Sequence, residues 1–217
     1  MAMIYTEETS DKIAEFLLQI KAIKLEPTNP FVWSSGWKSP IYCDNRISLS
    51  HPAIRTYIRQ QLVKAIETHF EKPQTIAGVA TGGIAHGVLV AQELGVPFVY
   101  VRPESKKHGM KNQVEGQLQN KSDVVVVEDL VSTGKSSLAV VDVLRNEGCD
   151  VKYMVSIFDY GFEETHILFE KHKVKLISLC DYSHLINKAL EMEYIKTDHI
   201  ELLKEWRNNP ANWGKLG

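Results

Sequence analysis

The chain has 217 residues, with 25 Lys and Arg against 27 Asp and Glu and a formal net charge of −2. That length can bury a substantial core and most simply forms one domain, 1–217, and the near-neutral balance gives no reason to expect nucleic acid as a partner. No apolar run approaches the ~20 residues a bilayer span needs, the start MAMIYTEETSDK lacks a signal-peptide pattern, and Cys43, Cys149 and Cys180 lack metal-type spacing, so a reduced, cytoplasmic protein off the membrane is expected.

SDKIAEFLLQIKAI predicts a helix over about 10–23 with Ser10 as its N-cap. A segment punctuated by Gly, Pro and Ser fills 28–50, and His51-Pro52 then opens a long amphipathic helix to about 70. From there strands and helices alternate: strand 75–80, helix 83–95, strand 97–102, strand 123–128, helix 135–147, strand 151–158, helix 163–172, strand 174–179 and helix 182–191. The tail, 197–217, predicts another helix capped by Thr197 and then an irregular end. This order predicts an α/β fold, a doubly wound, mainly parallel sheet with helices on both faces. Ligands of such sheets sit outside the carboxyl ends of the strands.

The most informative stretch is VVVVEDLVSTGKSS, 124–137. Four consecutive valines predict a strand buried on both faces, ending in two carboxylates, Glu128 and Asp129. A turn of small and hydroxyl residues follows, at the start of a helix, where backbone N–H groups and the helix dipole favour a phosphate. The acids beside it suit sugar hydroxyls or a divalent cation. Together they ask for a phosphorylated ribose. Gly134-Lys135-Ser136 looks like the end of a nucleotide-binding P-loop, but that motif needs a glycine at position 129. Asp129 stands there and would repel the phosphate, which excludes the P-loop.

Three further segments carry chemistry. GVATGGIAHG (78–87) runs from a strand into a helix, and Thr81, Gly82 and Gly83 either let the backbone approach an anion closely or serve packing alone. YVRPESKKHGMKNQVEGQL (100–118) is a long loop rich in Lys, His and Gly, of a length that is usually functional or disordered. FVWSSGWKSPIYCDNR (31–46) alternates aromatics with Ser, Gly, Lys and Pro. It suits either an aromatic wall for a flat heterocycle or an aromatic staple over the sheet.

The acid pair with its hydroxyl turn resembles the signature for 5-phosphoribosyl 1-diphosphate (PRPP) of type I phosphoribosyltransferases, in the form seen in bacterial orotate phosphoribosyltransferases. The pattern F-x-x-x-SG-x-KSP-x-Y resembles that family's orotate-side signature, and Arg102, Lys106 and His108 match the spacing of its catalytic loop. The resemblance implies a PRPP segment of Glu128, Asp129, Leu130, Val131, Ser132, Thr133, Gly134, Lys135 and Ser136. In it the acids hold the ribose hydroxyls, and the turn from Ser132 binds the 5′-phosphate. It implies a pyrophosphate loop at Thr81, Gly82 and Gly83, and a catalytic, PRPP-contacting lid carrying Arg102, Lys106 and His108. It also implies orotate contacts at Ser132, Lys38 and Tyr42, within a small N-terminal hood over 1–50. Mg²⁺ is expected near Glu128 and Asp129 through PRPP and water, with no direct protein ligand set. A homodimer is expected to share the 102–118 loop.

The chain departs from the family at four places. Ser34 stands where the family often has lysine, Gly82 where some members carry one, Pro103 where the loop often has another, and Tyr160 where several members place an arginine facing the base. With Gly82 in the pyrophosphate loop, cationic help must come from elsewhere. A transferase for a purine base and a non-catalytic PRPP-sensing regulator are the competing functions. Retention of the lid cations argues against the second.

Overall fold

The computed structural model describes residues 3–33, 36–102, 113–119 and 121–213. The chain opens with β1 (Met3–Ile4) and α1 (Glu7–Gln19). Thr6, not Ser10, caps α1: its hydroxyl accepts from the Thr9 N–H at 3.1 Å, and Glu7 and Glu8 sit in the first turn, where the helix dipole favours acids. Ser10 lies on the buried face of the helix, so the element begins three residues earlier than its sequence suggests.

Four short strands follow, β2 (Ile23–Leu25), β3 (Phe31–Val32), β4 (Lys38–Ser39) and β5 (Ile41–Cys43), and then a 3-10 turn, Asn45–Ser50. β2 pairs with β5 and β3 with β4, both antiparallel. After α2 (Pro52–His69) come β6 (Thr75–Val79), α3 (Gly82–Leu94), β7 (Phe98–Val101), β8 (Val114–Glu115) and β9 (Asp123–Val131). The chain continues through α4 (Lys135–Asn146), β10 (Asp150–Asp159), α5 (Glu163–Lys171), β11 (Lys175–Asp181), α6 (Tyr182–Glu191) and α7 (His199–Asn208). The predicted Thr197 cap is not used; Asp198 precedes α7 without a side-chain cap bond.

Among the described residues the main sheet has seven strands in the order β1-β11-β10-β9-β6-β7-β8, all parallel except β8 against β7. The period-2 alternation of strand side chains divides its residues between two cores. Val125, Val127, Val155, Ile157, Ile177 and Leu179 pack with residues of α1, α2, α3 and α6, while Val124, Val126, Met154 and Leu176 pack with α4 and α5. Both faces are therefore covered, as the valine run requires. β9 also continues three residues past the predicted end, because Leu130 and Val131 keep their pairing with Phe158 and Asp159 of β10. The acid pair thus lies within a paired strand, not at a frayed end.

The hood is narrower than 1–50. β1 joins the main sheet beside β11 and α1 buries Ile13, Ala14, Leu17 and Leu18, so residues 3–19 belong to the sheet's own layers. What remains, from β2 to the 3-10 turn, is fastened by aromatics. The Trp206 indole of α7 donates to Lys38 O at 3.3 Å and meets Trp33 and Tyr160 edge-on, with ring centroids 5.7 and 5.8 Å away, a favoured aromatic geometry.

Candidate active site

Glu128 is almost wholly buried, and both of its carboxyl oxygens are engaged. Oε2 accepts from the Ser137 hydroxyl at 2.9 Å, and Oε1 accepts from the Asp129 N–H at 3.0 Å. Asp129 is placed differently. Its carboxylate lies against Gly82, so closely that a Cβ at position 82 would come within 2.1 Å of Oδ1. Burial, and next the charge of Asp129, push the Glu128 carboxyl well above the usual range; burial also raises Asp129. Two crowded, desolvated acids of this kind bind a proton more readily than free carboxylates do. Hydroxyl donors or a cation arriving in the site relieve that penalty.

The backbone of this pair is held from the hood. Asn45 Nδ2 donates to Asp129 O at 2.6 Å, and Ser48 Oγ donates to Asn45 O at 2.6 Å. Since the Ser48 proton is so used, its oxygen accepts from Nε2 of the buried His86 in α3, 3.3 Å away. Burial, and then the charge of Arg55, lower His86 to about 4, so it stays neutral. A chain of hydrogen bonds thereby ties the helix after the Thr81–Gly83 loop to the acid strand.

The turn after β9 places its groups by a left-handed residue. Gly134 has φ +72°, and a Cβ there would meet Thr165 and Phe169 of α5 at 3.0 Å. No side chain caps the start of α4, which leaves its first N–H groups open toward an anion. From the other side, Thr165 Oγ1 donates to Ser132 O at 2.7 Å and fixes the turn against α5.

Two cavities adjoin here. One, of about 300 Å³, is lined by Cys43, Asp44, Arg46, Thr81, Gly82, Glu128, Asp129 and Ser136. The other, of about 650 Å³, is lined by Trp33, Trp37, Tyr42, Ser132, Thr133, Lys135 and Tyr160. Cys43 and Leu130 line both. The predicted residues Glu128, Asp129, Thr81, Gly82 and Ser136 therefore gather around the first cavity, and Ser132, Thr133, Lys135 and Tyr42 around the second.

Others stand apart. Gly83 lies beneath the loop against Val127 O, and Val131 is buried in the core behind the site. Lys38 is exposed in β4 and lines neither cavity. Arg102 directly follows β7, its Nε 3.7 Å from Glu115 Oε1. Lys106 and His108, with Ser34 and Pro103, lie outside the described residues. Tyr160 is a buried wall whose phenol is pushed well up by burial, so it presents a neutral aromatic face. Sequence reasoning missed Arg46, Asn45 and Ser137. The available signals were the charged end of the aromatic segment, Asp44-Asn45-Arg46, and a hydroxyl in the first turn of α4, one position beyond Ser136.

The family described as phosphoribosyl transferase domain matches residues 48–183. An orotate phosphoribosyltransferase of Porphyromonas gingivalis is 53% identical over 202 residues, covering 93% of this chain and 96% of that protein. One from Phocaeicola vulgatus is 48% identical, covering 95% of this chain and 98% of its own length. Among solved structures, orotate phosphoribosyltransferase from Aeropyrum pernix superposes with a TM-score of 0.70 at 29% identity, covering 81% of this chain and 98% of that one.

Proposed function

The chain belongs to the orotate phosphoribosyltransferase family, and from that premise we infer that it transfers the 5-phosphoribosyl group of PRPP to N1 of orotate, giving orotidine 5′-monophosphate and pyrophosphate on the route to UMP. The observation that carries this reading is the junction of the two cavities at Cys43 and Leu130. A buried acid pair beside one cavity suits a ribose, and an aromatic-walled space beside it suits a flat base.

The chemistry needs no covalent nucleophile from the protein. Orotate N1, as its anion, attacks C1 of the ribose as the C1–O bond to pyrophosphate opens, through an oxocarbenium-like state. The protein contributes positioning and electrostatics. Glu128 and Asp129 orient the ribose hydroxyls. The open N-terminus of α4 and the hydroxyls of Ser132, Thr133 and Ser136 take the 5′-phosphate. Arg102, Lys106 and His108 of the lid offset charge on the leaving group, and the lid excludes water from the cation-like sugar. Among the described residues no cluster of three or more ligating side chains is present, and an acid pair alone fits Mg²⁺, which keeps several waters; Glu128 and Asp129 would hold it through water and substrate, and when bound it would neutralise diphosphate charge. The reading includes a homodimer sharing the 102–118 loop and a cytoplasmic location. Among the described residues no helix is long and apolar enough to cross a membrane.

The test is purified protein with PRPP, Mg²⁺ and orotate, following loss of orotate absorbance. Turnover is expected with orotate and not with hypoxanthine. The reverse preference would overturn the base assignment, and binding of PRPP without turnover of any base would favour a regulator.

A further inference from the structure

We propose that Arg46 is a catalytic residue of this site: it takes up the diphosphate of PRPP and holds it as pyrophosphate departs. This rests on the function inferred above. The loop from β6 into α3 brings no cation, and the geometry explains why none fits at position 82. The first side-chain carbon there would lie 2.1 Å from Asp129 Oδ1 and 2.2 Å from its Cγ, so any longer residue displaces the acid. Meanwhile the charged residues lining the smaller cavity are Asp44, Glu128, Asp129 and Arg46. Three carboxylates surround a space meant for a polyanion, and among the described lining residues Arg46 is the single cation. A departing diphosphate needs positive charge where its negative charge develops.

Arg46 is also held in a way that leaves it ready to be taken. Its guanidinium rests on Asp44, Nε to Oδ1 at 2.7 Å and Nη2 to Oδ2 at 2.9 Å. The Arg46 side chain is 58% exposed. Asp44 holds it through a two-point fork from the edge of the cavity, and the same planar fork fits two phosphate oxygens as well as two carboxylate oxygens. A diphosphate can therefore take over both donors at once, replacing the two bonds to Asp44 with two of the same kind. The backbone that carries Arg46 is fixed, because its neighbour Asn45 donates to Asp129 O. The side chain can move while its root stays in register with the acid pair. The hood thus delivers from the opposite wall the cation that the pyrophosphate loop cannot hold.

Kinetics in both directions, on wild type, Arg46→Gln, Arg46→Lys and Asp44→Asn, provide the test. For Arg46→Gln the KM values for PRPP and, in reverse, for pyrophosphate should rise by about tenfold or more, the size of one lost charge-assisted contact. The KM values for orotate and orotidine 5′-monophosphate should stay within about twofold, with Tm unchanged. Arg46→Lys should recover part of the loss, since it keeps the charge but not the fork. Asp44→Asn frees the guanidinium and should not weaken pyrophosphate. If Asp44→Asn reproduces the Arg46→Gln defect, or Arg46→Gln leaves the pyrophosphate KM unaltered, the residue is structural and the proposal fails. Calorimetric titration of the same proteins with inorganic pyrophosphate and Mg²⁺ decides the matter even if the base proves not to be orotate. Weaker binding by Arg46→Gln alone would support Arg46, and equal binding by all would refute it.

Discussion

Replacing Gly82 with alanine should cost activity without costing stability. The new methyl would stand 2.1, 2.2 and 2.3 Å from Oδ1, Cγ and Oδ2 of Asp129. Ordinary contact begins at 3.4 Å, so the carboxylate must retreat from 2.1 Å by about 1.3 Å. That retreat is a side-chain rotation into the cavity and strains no backbone. Position 82 opens α3 with a φ that alanine adopts, and alanine is the better helix former by at most about 1 kcal/mol. A displacement of about 1 Å in a group that orients substrate costs about 10²-fold, or about 2.7 kcal/mol of transition-state stabilisation. The assay is kcat/KM for PRPP at saturating orotate, with a melting curve beside it. Gly83→Ala supplies the contrast, because its methyl would meet Val127 O at 2.4 Å and Glu128 Cα at 3.3 Å, both backbone of β9. Overpacking against a fixed strand costs about 1–3 kcal/mol, several degrees of Tm in a chain of this size. A Gly82→Ala protein with wild-type kcat/KM, or one that melts as early as Gly83→Ala, would refute the reasoning.

Two further outcomes follow from titratable groups. Ser137→Ala removes the hydroxyl bond that opposes the upward pressure of burial and Asp129 on the Glu128 carboxyl, so the acidic limb of the kcat/KM profile for PRPP should move to higher pH; an unmoved limb would mean that Glu128 ionisation does not matter to binding. His184 bridges Asp181 at 2.8 Å and Glu7 at 2.7 Å, and although burial pulls its pKa down, these two bonds outweigh burial and raise it above 6.5. A raised folded pKa stabilises fully below 6.5 and is lost as pH rises through the folded value. The Tm gap between wild type and His184→Gln should therefore be widest below 6.5 and close as pH rises through the raised folded value, and a gap constant from pH 5 to 9 would remove the charged bridge.

What the sequence disclosed was local. The valine run, the acids and the hydroxyl turn are consecutive, so their joint chemistry could be inferred before any fold was known. Thr81 and Gly82 were legible for the same reason. The other half of the smaller cavity was not, because Asn45 reaches Asp129 across 84 positions and no local pattern couples the two. Boundaries failed where tertiary pairing decided them. Polar acids imply the end of a buried strand, yet β9 runs on to Val131 because β10 offers partners. Ser10 resembles a cap, but the apolar stripe from Ile13 to Leu18 turns it inward and leaves Thr6 at the helix start. The aromatics of the hood suit either a wall or a staple. Trp33 is both, donating to Ile41 O, packing on Trp206 and lining the larger cavity.

The two acids, adjacent in sequence, are not equivalent in place. Glu128 spends both oxygens inside the protein, on Ser137 and on the N–H of the next residue. Asp129 turns its carboxylate toward Gly82 and the cavity, and its backbone is anchored by Asn45. A strand places successive side chains on opposite faces, and although both acids line the smaller cavity, Glu128 is the more inward and Asp129 the more outward. Charge on the inward acid is costly, and what Ser137 contributes is to make that charge tolerable. The outward acid then operates in a field already negative, which is why a cation from another element must share its cavity. The burial that raises both carboxyls and the placement of Arg46 in their cavity are thus two consequences of setting an acid pair in the middle of a buried strand.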